Sequence, residues 1–328
     1  AQRYEEKMTI STLNSMTSGT ASFNLNLTEA CEEAYERAGY EMRSGYDLRT
    51  ARRSLNLLFA DWANRGINMW TIEQGTITLQ QGLNTYALPN DTVDLLDHVI
   101  RTNPNNTSTQ ADLTITRISV STYATVPNKL NQARPIQVWV QRLDGQIYPT
   151  GFTVASVVNP TDTTITLTST ANLATAGFVN LVNGTVTETI YYNNISGNTL
   201  GNCFRGQNGT TAAQFPVGSV VNVPNLPAVT VWPTPDGVQT YQFVYWRMRR
   251  TQDASQYGNN VMDVPFRFIP AMIAGLAYYV ALKVPDGMNR LQILKQQYDE
   301  FWELAAYEDH EKAALRLVPR QMFIGGGF

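Results

Sequence analysis

At 328 residues the chain has room for two or three compact modules, and a hydrophobic content of 43% lets each of them bury a core. A net charge of -3 and a pI near 5.5 argue against a free-standing nucleic-acid binder, which carries a basic surplus. Charged residues make up only 16% of the chain, and lysine is confined to Lys7, Lys129, Lys283, Lys295 and Lys312, so 19 of the 24 basic residues are arginines. Arginine tolerates burial and makes forked bonds at interfaces, which points to a subunit of an assembly.

Residues 1–27, polar and rich in Ser, Thr and Asn, read as an arm, either flexible or laid as a strap across a neighbour. Thr28 to Gly39 (TEACEEAYERAG) predicts a helix with a Thr cap, early Glu residues, an apolar stripe and a Gly stop. Asp47 to Trp70 (DLRTARRSLNLLFADWANRGINMW) predicts a second helix. Leu48, Ala51, Leu55, Leu58, Phe59 and Trp62 share one face; Arg49, Arg52, Arg53, Asn56 and Asn64 take the other. Asp47 is placed to cap it, and Gly66 to end it in a left-handed conformation.

From Trp70 the period becomes alternating. TIEQGTITLQQGLNTYALP reads as two short strands around Gly82, and Asp91 to Arg101 is open between turn and strand. DLTITRIS reads as a strand, STYATVPNK as a one-turn helix and loop, and Arg134 to Tyr148 as a hairpin turning at Asp144-Gly145. Between about Pro149 and Pro224 aromatics thin out and charge almost vanishes, which predicts a small inserted β module. Ala228 to Arg249 then resumes the earlier strands, with Tyr241, Phe243 and Tyr245 on one side. Asp263-Val264-Pro265 starts a nearly all-apolar helix, Phe266 to Lys283, too short to cross a membrane. Met288 to Leu317 predicts a long amphipathic helix, and an apolar Gly-rich tail ends the sequence as a docking strand.

The fold class expected is α+β: a helical bundle built from both chain ends, with an inserted antiparallel β domain that itself carries a small accessory β module. The boundaries are residues 1–27 for the arm, 28–70 with 262–317 for the bundle, and 71–149 with 226–261 for the β domain. Residues 150–225 form the accessory module and 318–328 the tail.

Titratable chemistry is sparse. The two histidines, His98 and His310, are far apart in sequence, and Asp94, Asp97 and His98 read as exposed turn residues before they read as a metal or proton site. Glu308 to Glu311 reads as a solvated charge run, and Gly325 to Gly327 lacks the Lys-Ser/Thr of a phosphate loop. Cys31 and Cys203 give neither a disulfide framework nor zinc spacing. The accessory module holds just Asp162 and Glu188, whereas a glycosidase needs two convergent carboxylates. No catalytic residue, cofactor or metal ligand is expected. Arg49, Arg52 and Arg53 are candidates for an intersubunit contact, and Arg247, Arg249 and Arg250 for a DNA channel or an interface.

The run GYDLRTARRSLNLL from Gly45 to Leu58, followed by DWANRGINMW, resembles the head-to-tail adaptor proteins of tailed, especially short-tailed, bacteriophages. Later landmarks keep the order of that family: Tyr86 to Pro89, Ile115 to Ser119, Tyr123, Asn128-Lys129, Arg134-Pro135, Trp232 to Asp236 and Val264 to Phe268. Ala305 to Lys312 closes the series. The module at 150–225 departs from the pattern; its stretch Thr187 to Val221 resembles small β modules of phage tail and baseplate proteins.

The resemblance implies a non-enzymatic virion protein of the neck, forming a ring, usually dodecameric, beneath the portal. Such a ring joins head to tail and extends the DNA channel. Implied partners are the portal protein, further copies of the chain, tail nozzle or fibre proteins, and genomic DNA passing without sequence-specific binding; no membrane is involved. Portal docking falls to Arg320, Met322, Phe323, Ile324 and Phe328. The alternatives are another neck or tail component, such as a tail-tube or fibre-attachment protein, or a glycan-binding or hydrolytic virion protein.

Overall fold

A computed structural model describes residues 20, 21, 23–66, 69–255, 260–285 and 287–309. The protein is mixed α+β, with several antiparallel sheets. It divides into two compact units, Ala1–Trp70 with Thr251–Phe328, and Thr71–Arg250.

In the first unit α1 (Leu27–Ala38) and α2 (Gly45–Asn64) both open on capping boxes. The caps are not the residues expected from sequence. Asn26, not Thr28, caps α1: its Oδ1 accepts from the Glu29 N–H at 2.9 Å, and Glu29 accepts from the Asn26 N–H at 3.0 Å. Ser44 caps α2, and Asp47 sits three residues in, where its carboxylate accepts from the Ser44 N–H at 3.1 Å. Gly39 ends α1 at φ 83°, as expected. The last cap of α2 is Arg65 in a right-handed conformation, ahead of Gly66.

A single-turn 3-10 segment, Phe266–Phe268, leads into α4 (Ile269–Ala281), and α5 (Leu291–Glu308) follows. (The label α3 belongs to the short helix Val120–Ala124 of the second unit.) Expected helix beyond residue 309 lies outside the described residues. IPAMIAGLAYYVA has no polar face, and α4 is accordingly buried on nearly all sides. Its core also holds Leu55, Leu58 and Trp62 of α2, Cys31 and Tyr35 of α1, and Leu294 and Tyr298 of α5. Gly275 makes the close approach possible, because a Cβ there would lie 2.8 Å from Tyr298 and 2.9 Å from Leu58. The Trp62 indole N–H donates to the Tyr298 hydroxyl at 2.9 Å, satisfying a buried donor that would otherwise cost stability.

The second unit contains four sheets. Two make the β domain: β1 (Ile72–Thr78), β16 (Tyr241–Arg249), β3 (Thr92–Thr102) and β4 (Ala111–Thr114) in that spatial order, and β2 (Thr85–Ala87), β15 (Ala228–Trp232), β6 (Gln137–Gln141) and β5 (Thr116–Arg117). Tyr241, Phe243 and Tyr245 share its core with Ile100 and Val229, as the alternation of β16 requires. The segment left open at 91–101 is an 11-residue strand, β3, paired along most of β16.

The accessory module carries a sheet of β13 (Phe204–Gln207), β10 (Val186–Tyr192), β9 (Gly177–Asn183), β14 (Val220–Pro224) and β7 (Ile147–Thr153). A smaller sheet joins β11 (Asn194–Ser196), β12 (Thr199–Gly201) and β8 (Ile165–Thr166). The module has its own core around Val179, Leu181, Ile190 and Phe215, and it also lends Tyr191 to the core of the β domain.

Two expected strand pairings are corrected. Arg134 to Tyr148 is not a hairpin: β6 joins β15 while β7 joins β14. Gly145 turns the chain at φ 73°, with its Cα side so close to the Asn90 carbonyl that a Cβ would meet it at 2.2 Å. Residues 112–119 are not one strand either, since β4 pairs β3 and β5 pairs β6 in the other sheet.

Candidate functional site

The helical period of α2 places Tyr46, Arg49, Arg53 and Leu57 along one outward stripe, opposite the buried Leu55, Leu58 and Trp62. Tyr46 and Leu57 are 63% and 58% exposed, large values for side chains of that size. Tyr46, Arg49, Arg52 and Arg53 enclose a surface concavity of about 310 Å³. Tyr46 and Arg53 also border a neighbouring one of about 540 Å³, where Tyr35, Tyr40 and Lys283 join them.

This corner is predominantly cationic. Among the described residues no ion pair reaches Arg49, Arg52, Arg53 or Lys283. Arg53 meets the Thr50 hydroxyl at 3.5 Å, and the Lys283 ammonium donates to Ser54 at 2.7 Å. Burial, followed by the charge of Arg53, holds the Lys283 pKa below its ordinary 10.5. Asp47 borders the cavity, but its Oδ2 already accepts from the backbone of Arg43 and Ser44. A concentration of cations on a rigid helix, with like charges left to repel, binds an anionic surface favourably.

The other arginine-rich segment is organised differently. Arg247 on β16 is 8% exposed and is held by Glu73 at 2.8 Å, by Asp91, and by the Thr92 hydroxyl at 2.9 Å. Arg249 donates to the second oxygen of Glu73 at 2.7 Å. Arg250 is exposed and donates to the Asn90 carbonyl at 3.3 Å. Arg247 and Arg249 thus spend their donors inside the β domain, tying β1 and the start of β3 to β16. Arg250 alone of the three presents its charge outward.

Asp94, Asp97 and His98 are not the exposed turn that the sequence suggests; they lie within β3. Asp94 pairs with Arg117 at 2.8 Å and with Arg142, and Asp97 accepts from the His98 N–H at 2.7 Å. His98 is buried, with neither ring nitrogen hydrogen-bonded, and burial lowers its pKa below 6.5. Among the described residues no three His, Cys, Asp or Glu side chains gather as metal ligands.

In the accessory module Glu188, fully buried on β10, accepts from the Arg205 Nε and Nη2, both at 2.7 Å. It also accepts from the backbone N–H groups of Gly206 at 2.9 Å and Ala213 at 3.0 Å. Asp162 accepts from the Asn159 N–H at 2.7 Å and shapes a turn. Both carboxylates of the module therefore have structural partners. Cys31 and Cys203 are free thiols, and burial pushes both up to about 12.

The sequence found the arginines of α2 but not Tyr46, Leu57 or Lys283. The spacing of Tyr46 and Leu57 around Arg49 and Arg53 was a usable signal; Lys283 required the fold. Arg320, Met322, Phe323, Ile324 and Phe328, together with His310 and Gly325 to Gly327, lie outside the described residues. No protein-family model matches the chain, and a search of curated proteins gives no significant match.

Proposed function

We propose that the protein is a structural head-to-tail adaptor of a tailed bacteriophage virion, located in the neck. Copies form a ring, of dodecameric order in the related pattern, under the portal, where it extends the DNA channel and offers a platform to nozzle or fibre proteins. The finer architecture belongs to the same reading. Residues 28–70 and 262–317 make up a helical bundle, 71–149 with 226–261 the β domain, 150–225 an accessory module that binds other tail parts or decorates the outside, and 318–328 the docking tail.

The observation that carries this reading is the unpaired arginine face of α2, which lies within the best of the resembling segments, Gly45 to Leu58. A side-by-side contact between copies would give Arg49, Arg52 and Arg53 the counter-charge they lack. The occupied carboxylates of the module, Glu188 and Asp162, weigh against a hydrolytic role.

The test is a mixing experiment. Full-length chain and a version ending at Leu317 are each incubated with portal rings or DNA-filled capsids of the same phage and imaged by electron microscopy. An added ring below the portal with the full chain supports the adaptor. Loss of that ring on truncation assigns docking to Arg320 through Phe328. A portal that gains no density from either version sinks the adaptor reading.

A further inference from the structure

The outer face of α5 repeats the spacing of exposed apolar residues on the outer face of α2 and opposes it in charge. Helical spacing puts Ile293, Glu300, Glu303, Leu304 and Tyr307 on one stripe, away from the buried Leu294, Tyr298 and Ala305. Ile293 and Leu304 are 61% and 62% exposed, and Glu300 and Glu303 are exposed beside them. Among the described residues neither glutamate has an ion-pair or hydrogen-bond partner.

On α2 the apolar ends of the stripe are Tyr46 and Leu57, with Arg49 and Arg53 between them; on α5 they are Ile293 and Leu304, with Glu300 between them and Glu303 beside the second. Each pair of apolar ends is separated by the same number of residues, about 16.5 Å along a helix that rises 1.5 Å per residue. We infer that the α2 stripe of one copy docks on the α5 stripe of the next, Arg49 and Arg53 meeting Glu300 and Glu303 between two apolar contacts. The partner is a second copy of this chain, and the assignment rests on the ring proposed above.

Other occupants fit less well. The outward side of α1 is acidic through Glu32 and Glu36, but none of the large exposed apolar side chains lies within Leu27–Ala38. It offers nothing to Tyr46 and Leu57. A nucleic-acid backbone would satisfy the arginines but leave both apolar residues in water. Two different faces of one molecule meeting head to tail generate a ring when the rotation closes. Like charges brought opposite each other across such a contact oppose association, so reversal is a sensitive probe.

The experiment uses two full-length variants. One carries Arg49→Glu and Arg53→Glu, so that both stripes are acidic; the other carries Glu300→Arg and Glu303→Arg, so that both are basic. Each alone, and a one-to-one mixture, is followed by sedimentation velocity at low salt and by imaging of rings on portals. Circular dichroism melts verify that the exposed substitutions leave the fold intact. Each variant alone is expected to associate at least about tenfold more weakly than wild type, and the mixture to recover wild-type assembly, since every contact in an alternating ring is again complementary.

A variant that assembles alone like wild type, or a mixture that fails to recover, overturns the pairing of α2 with α5. If the wild-type chain self-associates with this charge dependence yet adds no ring to portals, the helix pairing stands and the adaptor reading falls. If rings form on portals equally with wild type and both variants, the adaptor reading stands and the pairing falls. Wild-type chain that neither associates nor adds a ring removes both. Duplex DNA binding that the first variant loses, without recovery of assembly in the mixture, makes phosphate the occupant instead.

Discussion

The outer face of α2 and the strands of the β unit treat arginine in opposite ways, although elsewhere in the helical unit Arg37, Arg43 and Arg65 are ion-paired. In the β unit Arg205 and Arg247 are withdrawn from water and matched to Glu188 in one case, to Glu73 and Asp91 in the other. On the outside of α2, Arg49, Arg52 and Arg53 have no ion-pair partner among the described residues. The difference follows from the elements. The Arg205 and Arg247 side chains are shielded from water, 8% and 10% exposed, and a charge placed there survives only if its neighbours answer it. A helix with one apolar face leaves the opposite face free, and charges there cost little and are available for another molecule. Conserving the arginine count while changing its surroundings turns a fastener into a surface.

The largest effect that separates the two classes comes from the accessory module. Arg205→Leu leaves Glu188 buried with only backbone donors, and loss of one partner of a buried pair costs about 3–5 kcal/mol. Chemical denaturation should show a lower midpoint by that margin. A midpoint within experimental scatter of wild type would mean that the pair is not structural and would blur the comparison. Arg247→Leu should cost less, about 1–2 kcal/mol, because its partners Glu73 and Asp91 keep side-chain exposures of 44% and 35% and can be solvated.

A core substitution in the helical unit gives the next effect. Gly275→Ala adds a methyl 2.8 Å from Tyr298 and 2.9 Å from Leu58, and overpacking of this kind costs about 1–3 kcal/mol. It should lower the melting temperature and raise the unfolding rate without altering charge-dependent assembly. The same loss of stability accompanied by loss of assembly would show that the outer stripes depend on the spacing of the helices beneath them.

His98 sharpens the account of buried polar groups in the β unit. Its folded pKa is depressed below 6.5 by burial, so the unfolded chain takes up the proton first. Stability is therefore complete above about pH 6.5, declines as pH falls toward the lowered folded value, and loses nothing more below it. His98→Phe, beside Phe243 at a ring separation of 6.0 Å, should flatten that part of the curve. Denaturation midpoints at about pH 7.5 and 5 for both chains provide the measurement, and parallel curves would remove His98 from the acid response.

Element existence was largely legible in the sequence, because three-and-four spacing in Leu48 to Trp62 and alternation in Tyr241 to Tyr245 each report one buried face. Sheet membership was not. Nothing local distinguishes Gln137–Gln141 followed by Ile147–Thr153 as strands of two sheets from a hairpin; their partners, Ala228–Trp232 and Val220–Pro224, lie far along the chain. The helix starts were misplaced by two or three residues, although Asn26 with Glu29 and Ser44 with Asp47 already spelled capping boxes. At the candidate site the arginines of α2 were visible as a polar face. That they are unpaired, while those of β16 are paired, depends on Glu73 and Asp91, which lie more than a hundred and fifty positions away in the chain.

The smallest expected effect bears most directly on the outer face of α2. Arg53→Gln removes a charge that has no carboxylate partner among the described residues, and such surface changes shift stability by no more than about 0.5 kcal/mol. Its signature is electrostatic: Lys283, held below 10.5 by burial and by Arg53, should titrate closer to its ordinary value when Arg53 is gone. The depressed folded pKa means that stability from this group rises as pH climbs through the lowered value toward 10.5, and the substitution should weaken that rise. Nitrogen-detected NMR of the lysine side chain reads the titration, and added salt should move it in the same direction in the wild-type chain. An unmoved Lys283 would mean that Arg53 points elsewhere in solution, and the cationic corner would then reduce to independent side chains rather than one surface prepared for an acidic neighbour.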